Sequence, residues 1–418
     1  MITGANLSVF DEALTPQILE AIETEREWYP ESNGFVLLYG FSASQDETLD
    51  QRAQKVLKLA ATQRKSPSPE LSLQLQSLIS LHPEDAHWLG DYSGLDCQFR
   101  EKPECFEQLI QQVSSLGPLP PRTTLTLERY RELLTSDYFL EPPFMVWDSP
   151  LPNFDLVMKA GFLTLSQAYI ADKDAFLDQL TQDMHFWRLA LNQSQSILSK
   201  MVANAVLHRD LAFLSHFLRT HTPSPEQHTA IAKLLTPLSE SERDISESFY
   251  EELRVTANSG RAAFAYYSPS QLASALHYVS YQPKATLNDY YQYFIEPALN
   301  LAKAEGPQFV ALAESHAPYP HAPSVMPPSL FNLAGKLSLK QQSAGAAADY
   351  IGRMHDLVGI YRLVHLQLLA KSDGLEQALR EKNFANPFTL KAIDYDKTVQ
   401  KLSFSCFKRP KPYCSIQL

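Results

Sequence analysis

The sequence predicts a mainly α-helical protein, an irregular array of many helices that carries a small antiparallel β-hairpin near its C-terminus. Three observations predict it: residue pairs typical of helix starts, two stripes of apolar residues at helical spacing, and period-two alternation confined to the tail. The 418 residues are 44% hydrophobic and 20% charged, which is typical of a packed globular chain. We therefore expect a folded protein.

Helix starts are indicated by a serine or threonine followed by proline, because the hydroxyl caps one free amide and proline has no amide to leave unpaired. Such pairs precede four segments with helical spacing: Thr15-Pro16, Ser68-Pro69, Ser224-Pro225 and Ser268-Pro269. Ser239 with Glu242 also matches a capping box. Helices are expected to begin at each of these places.

Apolar residues recur most regularly between Asp178 and Arg219, which predicts a central buried helix there. A second stripe at helical spacing consists of Ile351, Met354, Val358, Tyr361, His365 and Leu368. Helical spacing is also found at 225–236, 240–267, 269–281 and 286–305. The region from 154 to 383 is accordingly predicted to form one helical body.

Proline clusters at 117–122, 141–152 and 316–328 interrupt the chain, because successive prolines cannot continue a helix. We predict three parts: 1–122, helical or mixed; 123–385, the main helical body; and 386–418, a tail with a cysteine loop and a hairpin around Lys397-Thr398. The apolar run at 34–41 fits either a strand or a buried helix.

The four cysteines form two pairs of identical spacing, Cys97 with Cys105 and Cys406 with Cys414. Three pairings are open, and two local disulfides are the simplest of them. Disulfides would place the protein in an oxidising compartment, whereas four reduced cysteines would fit the cytoplasm. A zinc site is disfavoured, because structural zinc prefers ligands two to four residues apart within each pair.

The net charge of −11 and the pI of about 5.6 disfavour nucleic acid as a partner. The sequence contains no nucleophile elbow, phosphate loop, dinucleotide-binding fingerprint or His-Glu-x-x-His pair. We therefore assign no catalytic residue, metal ligand or cofactor, and we favour a function other than catalysis.

Three clusters of titratable residues have structural interpretations. The histidines at 208, 216, 221 and 228 lack the i, i+4 spacing of a helical metal site, and they are interpreted as packed or surface residues. His355, Asp356 and His365 are interpreted as members of structural hydrogen bonds. The acidic run at 239–253 is expected on the outer face of a helix start, where the helix dipole favours carboxylates.

Tyrosines are dense at 264–294, and the proline-rich loop at 316–328 follows them. Tyrosine combines an apolar ring with a hydroxyl, so a cleft here could hold a glycan or a peptide. The candidate binding residues are Tyr266, Tyr267, Tyr278, Tyr281, His316, Tyr319 and His321. The alternatives are a helix interface packed with rings and a plain connecting loop.

No uninterrupted apolar stretch of about 18 residues exists, and the first residues lack the basic and apolar regions of a signal peptide, so a soluble chain is expected. Several phrases resemble those of uncharacterised bacterial envelope proteins with one N-terminal membrane helix before a soluble domain: NLSVFDEALTP, NGFVLLYGF, KMVANAVLHRDLAFL, YIGRMHDLVGIYRLVHLQL and NPFTLKAIDYD. The resemblance implies a periplasmic location and a membrane anchor upstream of this chain.

Two hypotheses of function follow. The leading one is a non-catalytic periplasmic domain that binds another envelope protein or takes part in envelope assembly. The alternative is a receptor for a small glycan or peptide, or a hydrolase, that uses the tyrosine-rich region and the loop at 316–328.

Overall fold

The structure, a computed structural model, describes residues 11–65, 69–80, 105–143, 145–146, 149–266, 280–316, 331–339, 344–372, 374–408 and 414–418. Helices account for 69% of the chain, and a small antiparallel sheet lies near the C-terminus. The predicted fold class is therefore confirmed. Within the described ranges, no helix is both long enough and apolar enough to cross a membrane.

The N-terminal part contains α1 (Pro16–Glu23), α2 (Gly34–Leu38), α3 (Leu49–Lys65), α4 (Pro69–Ile79), α5 (Cys105–Ser115) and α6 (Pro121–Leu133). The expected starts at Pro16 and Pro69 are confirmed, although the Thr15 hydroxyl does not cap α1. The run at 34–41 is helical, because Asn33 caps α2 by accepting a hydrogen bond from the Phe35 amide at 3.1 Å.

The centre of the molecule consists of α7 (Phe154–Ala171), α8 (Lys173–Gln193) and α9 (Ile197–Thr220). The prediction of one helix across 178–219 is wrong, since the chain turns between α8 and α9. Two polar groups stabilise the new N-terminus: Ser196 accepts a hydrogen bond from the Ser199 amide at 3.1 Å, and Glu141 accepts one from the Ser196 amide at 2.5 Å. The apolar spacing continues through the break because both helices face the same core.

The remaining helices are α10 (Pro225–Leu234), α11 (Glu240–Arg243), α12 (Ser246–Tyr266), α13 (Pro283–Tyr290), α14 (Glu296–Ala302), α15 (Gly306–His316), α16 (Leu333–Leu339), α17 (Ala344–Ala370) and α18 (Leu375–Ala378). Ser224 and Ser239 each begin a helix with a complete capping box, as predicted. A π-helical turn, Tyr291–Ile295, joins α13 to α14. The start predicted at Ser268-Pro269 lies outside the described residues.

The tail forms β1 (Asp394–Asp396), β2 (Lys401–Ser403) and β3 (Ser415–Gln417), in the order β1-β2-β3. The hairpin around Lys397-Thr398 is therefore confirmed, and a third antiparallel strand extends it. The sheet region packs on α17 at a helical glycine: a Cβ atom at Gly359 would lie 2.1 Å from the Phe404 ring. One contiguous cluster of buried apolar residues spans all three predicted parts, whose boundaries stay a prediction.

Cys406 and Cys414 lie at disulfide distance, with Sγ atoms 2.05 Å apart and Cα atoms 5.8 Å apart. This agrees with the local pairing proposed for the tail. Cys97 and the side chain of Cys105 lie outside what the structure describes, so the first pairing stays a prediction.

Replacing both Cys406 and Cys414 with serine is expected to lower the free energy of unfolding by about 2.5 kcal/mol, because a closed loop of this length restricts the unfolded chain. Urea denaturation without reductant measures the difference. Adding a thiol reductant to the wild type should reproduce the destabilisation and leave the variant unchanged. Equal stability of the two proteins without reductant would contradict the tail disulfide.

Candidate functional site

A cleft of ≈ 830 Å³ lies beside the C-terminal half of α17. One wall carries Val358, Tyr361, Arg362, His365 and Leu369, whose spacing of one, three or four residues places them on one side of a helix. The connection from α10 to α11 supplies another part of the lining, and α18 with the residues after it supplies a third. The cleft thus lies between the α17–α18 segment and the connection from α10 to α11, which is more than 100 residues earlier in the sequence.

Arg362 is the half-buried charge in the cleft wall. Its Nη1 atom donates a hydrogen bond to the Ala385 carbonyl oxygen at 2.5 Å. Burial, together with the nearby guanidinium of Arg243, lowers the pKa of Arg362, and Glu305 opposes this only in part. Among the residues that the structure describes, no carboxylate forms a salt bridge with Arg362. Its positive charge is therefore incompletely balanced.

Arg243 is the second guanidinium in the cleft, and its partner neutralises it only weakly. Its Nη1 atom lies 3.3 Å from a Glu305 oxygen, but the Glu305 side chain is 72% exposed, so water screens this pair. Two like charges close together in a partly buried space repel each other. An anion bound between them would relieve that repulsion.

His365 contributes a ring rather than a charge. Burial, and secondarily His228, lowers its pKa, so the ring is neutral at pH 7. It lies edge-on to Phe384, with ring centroids 5.1 Å apart. Leu235, Leu238 and Phe384 add apolar lining. Two carboxylates, Glu305 and Glu381, also line the cleft, which therefore combines two guanidinium groups and two acids with apolar walls.

A buried polar network lies at the centre of the helical body, where Arg209 bridges two aspartates that are 0% exposed. Arg209 donates hydrogen bonds to Asp183 at 2.7 Å and to Asp210 at 2.8 Å. Tyr130 donates to Asp183 at 2.8 Å and accepts from the indole nitrogen of Trp187 at 2.9 Å. The network joins α6, α8 and α9.

Burial raises the pKa of both Asp183 and Asp210, while Arg209 lowers it. One guanidinium cannot balance two desolvated carboxylates, so the pair holds a proton more tightly than ordinary aspartates do. The same residue types can perform acid–base catalysis, but these side chains are packed inside the core. We therefore assign the network a structural role.

The acidic run at 239–253 is placed differently from the prediction. Glu242 is 7% exposed and Glu251 is 3% exposed, so the expectation that these acids lie on an outer face is wrong for both. Glu242 accepts a hydrogen bond from Arg188 at 2.6 Å, and Glu251 accepts one from Arg26 at 2.5 Å. Arginines from distant elements compensate the burial, which no local pattern could indicate.

Burial raises the pKa of Glu251 and of Glu252 to about 7, and the Glu141 carboxylate contributes to both shifts. A raised folded-state pKa means that the folded protein prefers the protonated acid. The stability that these groups contribute is therefore complete below the unfolded-state pKa and is lost as the pH rises through about 7.

The wild type is expected to lose about 3 kcal/mol of stability between pH 4.5 and pH 7.5 through Glu252, and Glu252→Gln should abolish this loss because glutamine stays neutral throughout. Urea denaturation at several pH values measures this slope. Glu240→Gln is the matched control, since it removes an exposed carboxylate nearby and should leave the slope unchanged. Parallel curves for wild type and Glu252→Gln would contradict the raised pKa.

The histidines singled out in the sequence do not converge on a metal site. His216 packs against Phe106 with the two rings tilted and their centroids 4.2 Å apart, and burial lowers the pKa of His216 to about 4. His221 stacks on Phe217 at 5.1 Å. His208 and His216 line a smaller pocket of ≈ 170 Å³ between α9, α17 and β3. These rings pack against apolar neighbours, as interpreted.

Among the described side chains, one group brings three potential metal ligands together: Asp356, Cys406 and Cys414. The two sulfur atoms there are within disulfide distance of each other. A disulfide leaves neither sulfur as the thiolate that binds a metal. This group is therefore a disulfide with a carboxylate beside it.

Of the seven candidate binding residues, the structure describes the side chain of Tyr281. Tyr281 is 2% exposed, so it lies in the interior and offers no open surface to a ligand. The other six lie outside the described side chains, and their role stays a prediction: Tyr266, Tyr267, Tyr278, His316, Tyr319 and His321. The sequence predicts no site at Arg362, although His365, which lines the same cleft, belongs to the predicted stripe of α17.

Comparison of the chain with protein-family models, with characterised proteins and with solved structures gives no match.

Proposed function

We propose that the protein binds a small amphipathic anion in the cleft beside α17. The observation that carries the proposal is the half-buried guanidinium of Arg362, which no described carboxylate pairs with and which has Arg243 as a neighbour. A ligand carboxylate or phosphate supplies the missing charge and accepts guanidinium hydrogen bonds.

The shape and lining of the cleft define the rest of the ligand. Its volume of ≈ 830 Å³ falls in the range of pockets that hold small organic molecules, about 300 to 1,000 Å³. Leu235, Leu238 and Leu369 line it with aliphatic surface. An anion with a short apolar chain places its head at the arginines and its chain against the leucines. This retains the ligand-receptor hypothesis but moves the site from the tyrosine-rich region to α17.

A thermal-shift series tests the proposal with linear alkyl carboxylates and alkyl phosphates of four to twelve carbons. Alcohols of the same lengths are the controls, since they match the chain and lack the charge. A ligand that binds only the folded state raises the melting temperature, so we expect a rise with anions of a preferred length and none with the alcohols. No shift across the anions, or equal shifts with the alcohols, would contradict the proposal.

We also propose that the protein resides in an oxidising compartment such as the periplasm. The distance between Cys406 and Cys414 supports this, as does the resemblance to envelope proteins. Titrating thiols in urea without reductant tests it: four reactive thiols in freshly isolated protein would contradict it. Binding to another envelope protein stays a prediction, because the described residues present no feature specific to it.

A further inference from the structure

The two cysteines of the tail differ in their access to solvent. Cys414 is 2% exposed, whereas Cys406 is partly exposed. An external thiol attacks a disulfide at the sulfur that it can reach. Exchange at this bond is therefore directed to Cys406, and Cys414 is the sulfur that leaves.

A buried carboxylate lies beside the leaving sulfur. Asp356 on α17 is 1% exposed, and its Oδ1 atom lies 4.0 Å from the Sγ atom of Cys414. The same oxygen accepts a hydrogen bond from the Phe407 amide at 3.1 Å. Since Phe407 directly follows Cys406, this hydrogen bond fixes the carboxylate relative to both sulfurs.

We propose that Cys406 and Cys414 form an exchangeable disulfide, attacked by external thiols at Cys406, and that Asp356 accepts the thiol proton of Cys414 when the bond closes. The inference does not depend on anion binding at the cleft. The external reactant is a small thiol or its disulfide, such as glutathione.

Closure occurs in two steps that conserve atoms and charge. The Cys406 thiol loses its proton to solvent, and its thiolate attacks glutathione disulfide, forming a Cys406–glutathione disulfide and releasing one glutathione thiolate, which takes up a proton from solvent. The Cys414 thiol then passes its proton to Asp356 Oδ1, and its sulfur attacks Cys406 Sγ. The second glutathione thiolate leaves and takes a proton from water, and Asp356 returns its proton to solvent. Two cysteine thiols are oxidised and one glutathione disulfide is reduced to two thiols.

Among the described residues, the ionisable side chains on the elements around this pair include Asp349, Arg353, His355, Lys401, Lys408 and Glu305, which directly precedes α15. Asp349 and Lys408 are paired with each other at 3.2 Å on the surface. Burial lowers the pKa of His355 to about 4, so this ring does not titrate above pH 7. Asp356 is the buried carboxylate that contacts Cys414.

The test measures how fast glutathione disulfide forms the 406–414 disulfide in the fully reduced protein at pH 7 and pH 10. Samples are quenched with acid, and the disulfide is quantified by mass spectrometry. Asp356→Asn is expected to slow the second step about tenfold or more at pH 7, because asparagine cannot accept the proton. At pH 10, above the usual thiol pKa of about 8.5, the rates should converge. Asp349 is exposed on the same helix, so the disulfide of Asp349→Asn should close at the wild-type rate at both pH values.

If the disulfide of Asp356→Asn closes at the wild-type rate at pH 7, the proposal is wrong. Equal slowing at pH 7 and pH 10 contradicts it too, because that result indicates a purely structural role. Alkylation of the reduced wild type with iodoacetamide provides a measurement that needs no variant. Cys406 is expected to react about tenfold faster than Cys414, in line with its exposure, and equal rates would also overturn the proposal.

Discussion

Arg209→Met is expected to lower the free energy of unfolding by about 3 to 5 kcal/mol, the usual cost of leaving a buried charge without its partner. Arg209 donates hydrogen bonds to Asp183 at 2.7 Å and to Asp210 at 2.8 Å, and both acids are 0% exposed. Methionine fills similar space but leaves two desolvated carboxylates. Urea denaturation followed by circular dichroism measures the loss.

Arg219→Met is the matched control on the same helix. Arg219 pairs with Glu107 at 2.9 Å, but the Glu107 side chain is 63% exposed, so this change should cost less than about 1 kcal/mol. Protonating the aspartates removes the unpaired charges, so the loss in Arg209→Met should shrink as the pH falls. Similar stabilities of the two variants at pH 7 would contradict the assigned role of Arg209.

The second large effect is expected on ligand affinity. Arg362→Gln should weaken binding of the best alkyl carboxylate or phosphate about 10- to 100-fold, since a charge-assisted hydrogen bond contributes about 1.5 to 3 kcal/mol. The loss should be specific to anions, and the stability should fall by about 1 kcal/mol, because Arg362 makes no described salt bridge but donates a hydrogen bond to the Ala385 carbonyl. Isothermal titration calorimetry measures both affinity and stoichiometry.

Arg353→Gln is the control for this effect, because Arg353 is exposed on the same helix and does not line the cleft. It removes an equal charge and should retain wild-type affinity. If both variants lose affinity equally, the effect is one of net charge, and Arg362 is not a direct contact.

A helix can be predicted from the sequence when its capping residues and its apolar spacing both lie within the segment itself. The capping boxes at Ser224 and Ser239 are complete in the structure, as the spacing of their residues indicates. The break between α8 and α9 has one local signal, the Ser196 cap, and a second support that no local pattern indicates: Glu141 approaches the Ser196 amide from 55 residues away in sequence.

The cleft could not be predicted because its groups come from separate parts of the chain. Arg243 and Arg362 belong to different helices, and only the packing of α11 near α17 brings their charges together. A partial signal does exist in the sequence. Val358, Tyr361 and His365 continue the apolar stripe of α17, and Arg362 interrupts it with a charge on a partly buried position.

Helical geometry also separates residues that look like one cluster in the sequence. Asp356 and His365 are nine residues apart, which is two and a half turns of an α-helix, so they lie on opposite faces. Asp356 contacts Cys414, whereas His365 contacts Phe384. The proximity of His365 to Asp356 in sequence therefore does not create a shared network.

Photolabelling with an alkyl carboxylate that carries a diazirine in its chain tests the anion site most directly, because it locates the ligand. The label is expected on peptides containing 358–369 and 375–384, in a one-to-one ratio with protein, and an excess of the unlabelled carboxylate should remove it. The double variant Arg243→Gln with Arg362→Gln should lose the label while its circular dichroism spectrum shows that it remains folded. Labelling spread over other peptides, or unchanged labelling of the double variant, would show that the cleft beside α17 is not an anion site.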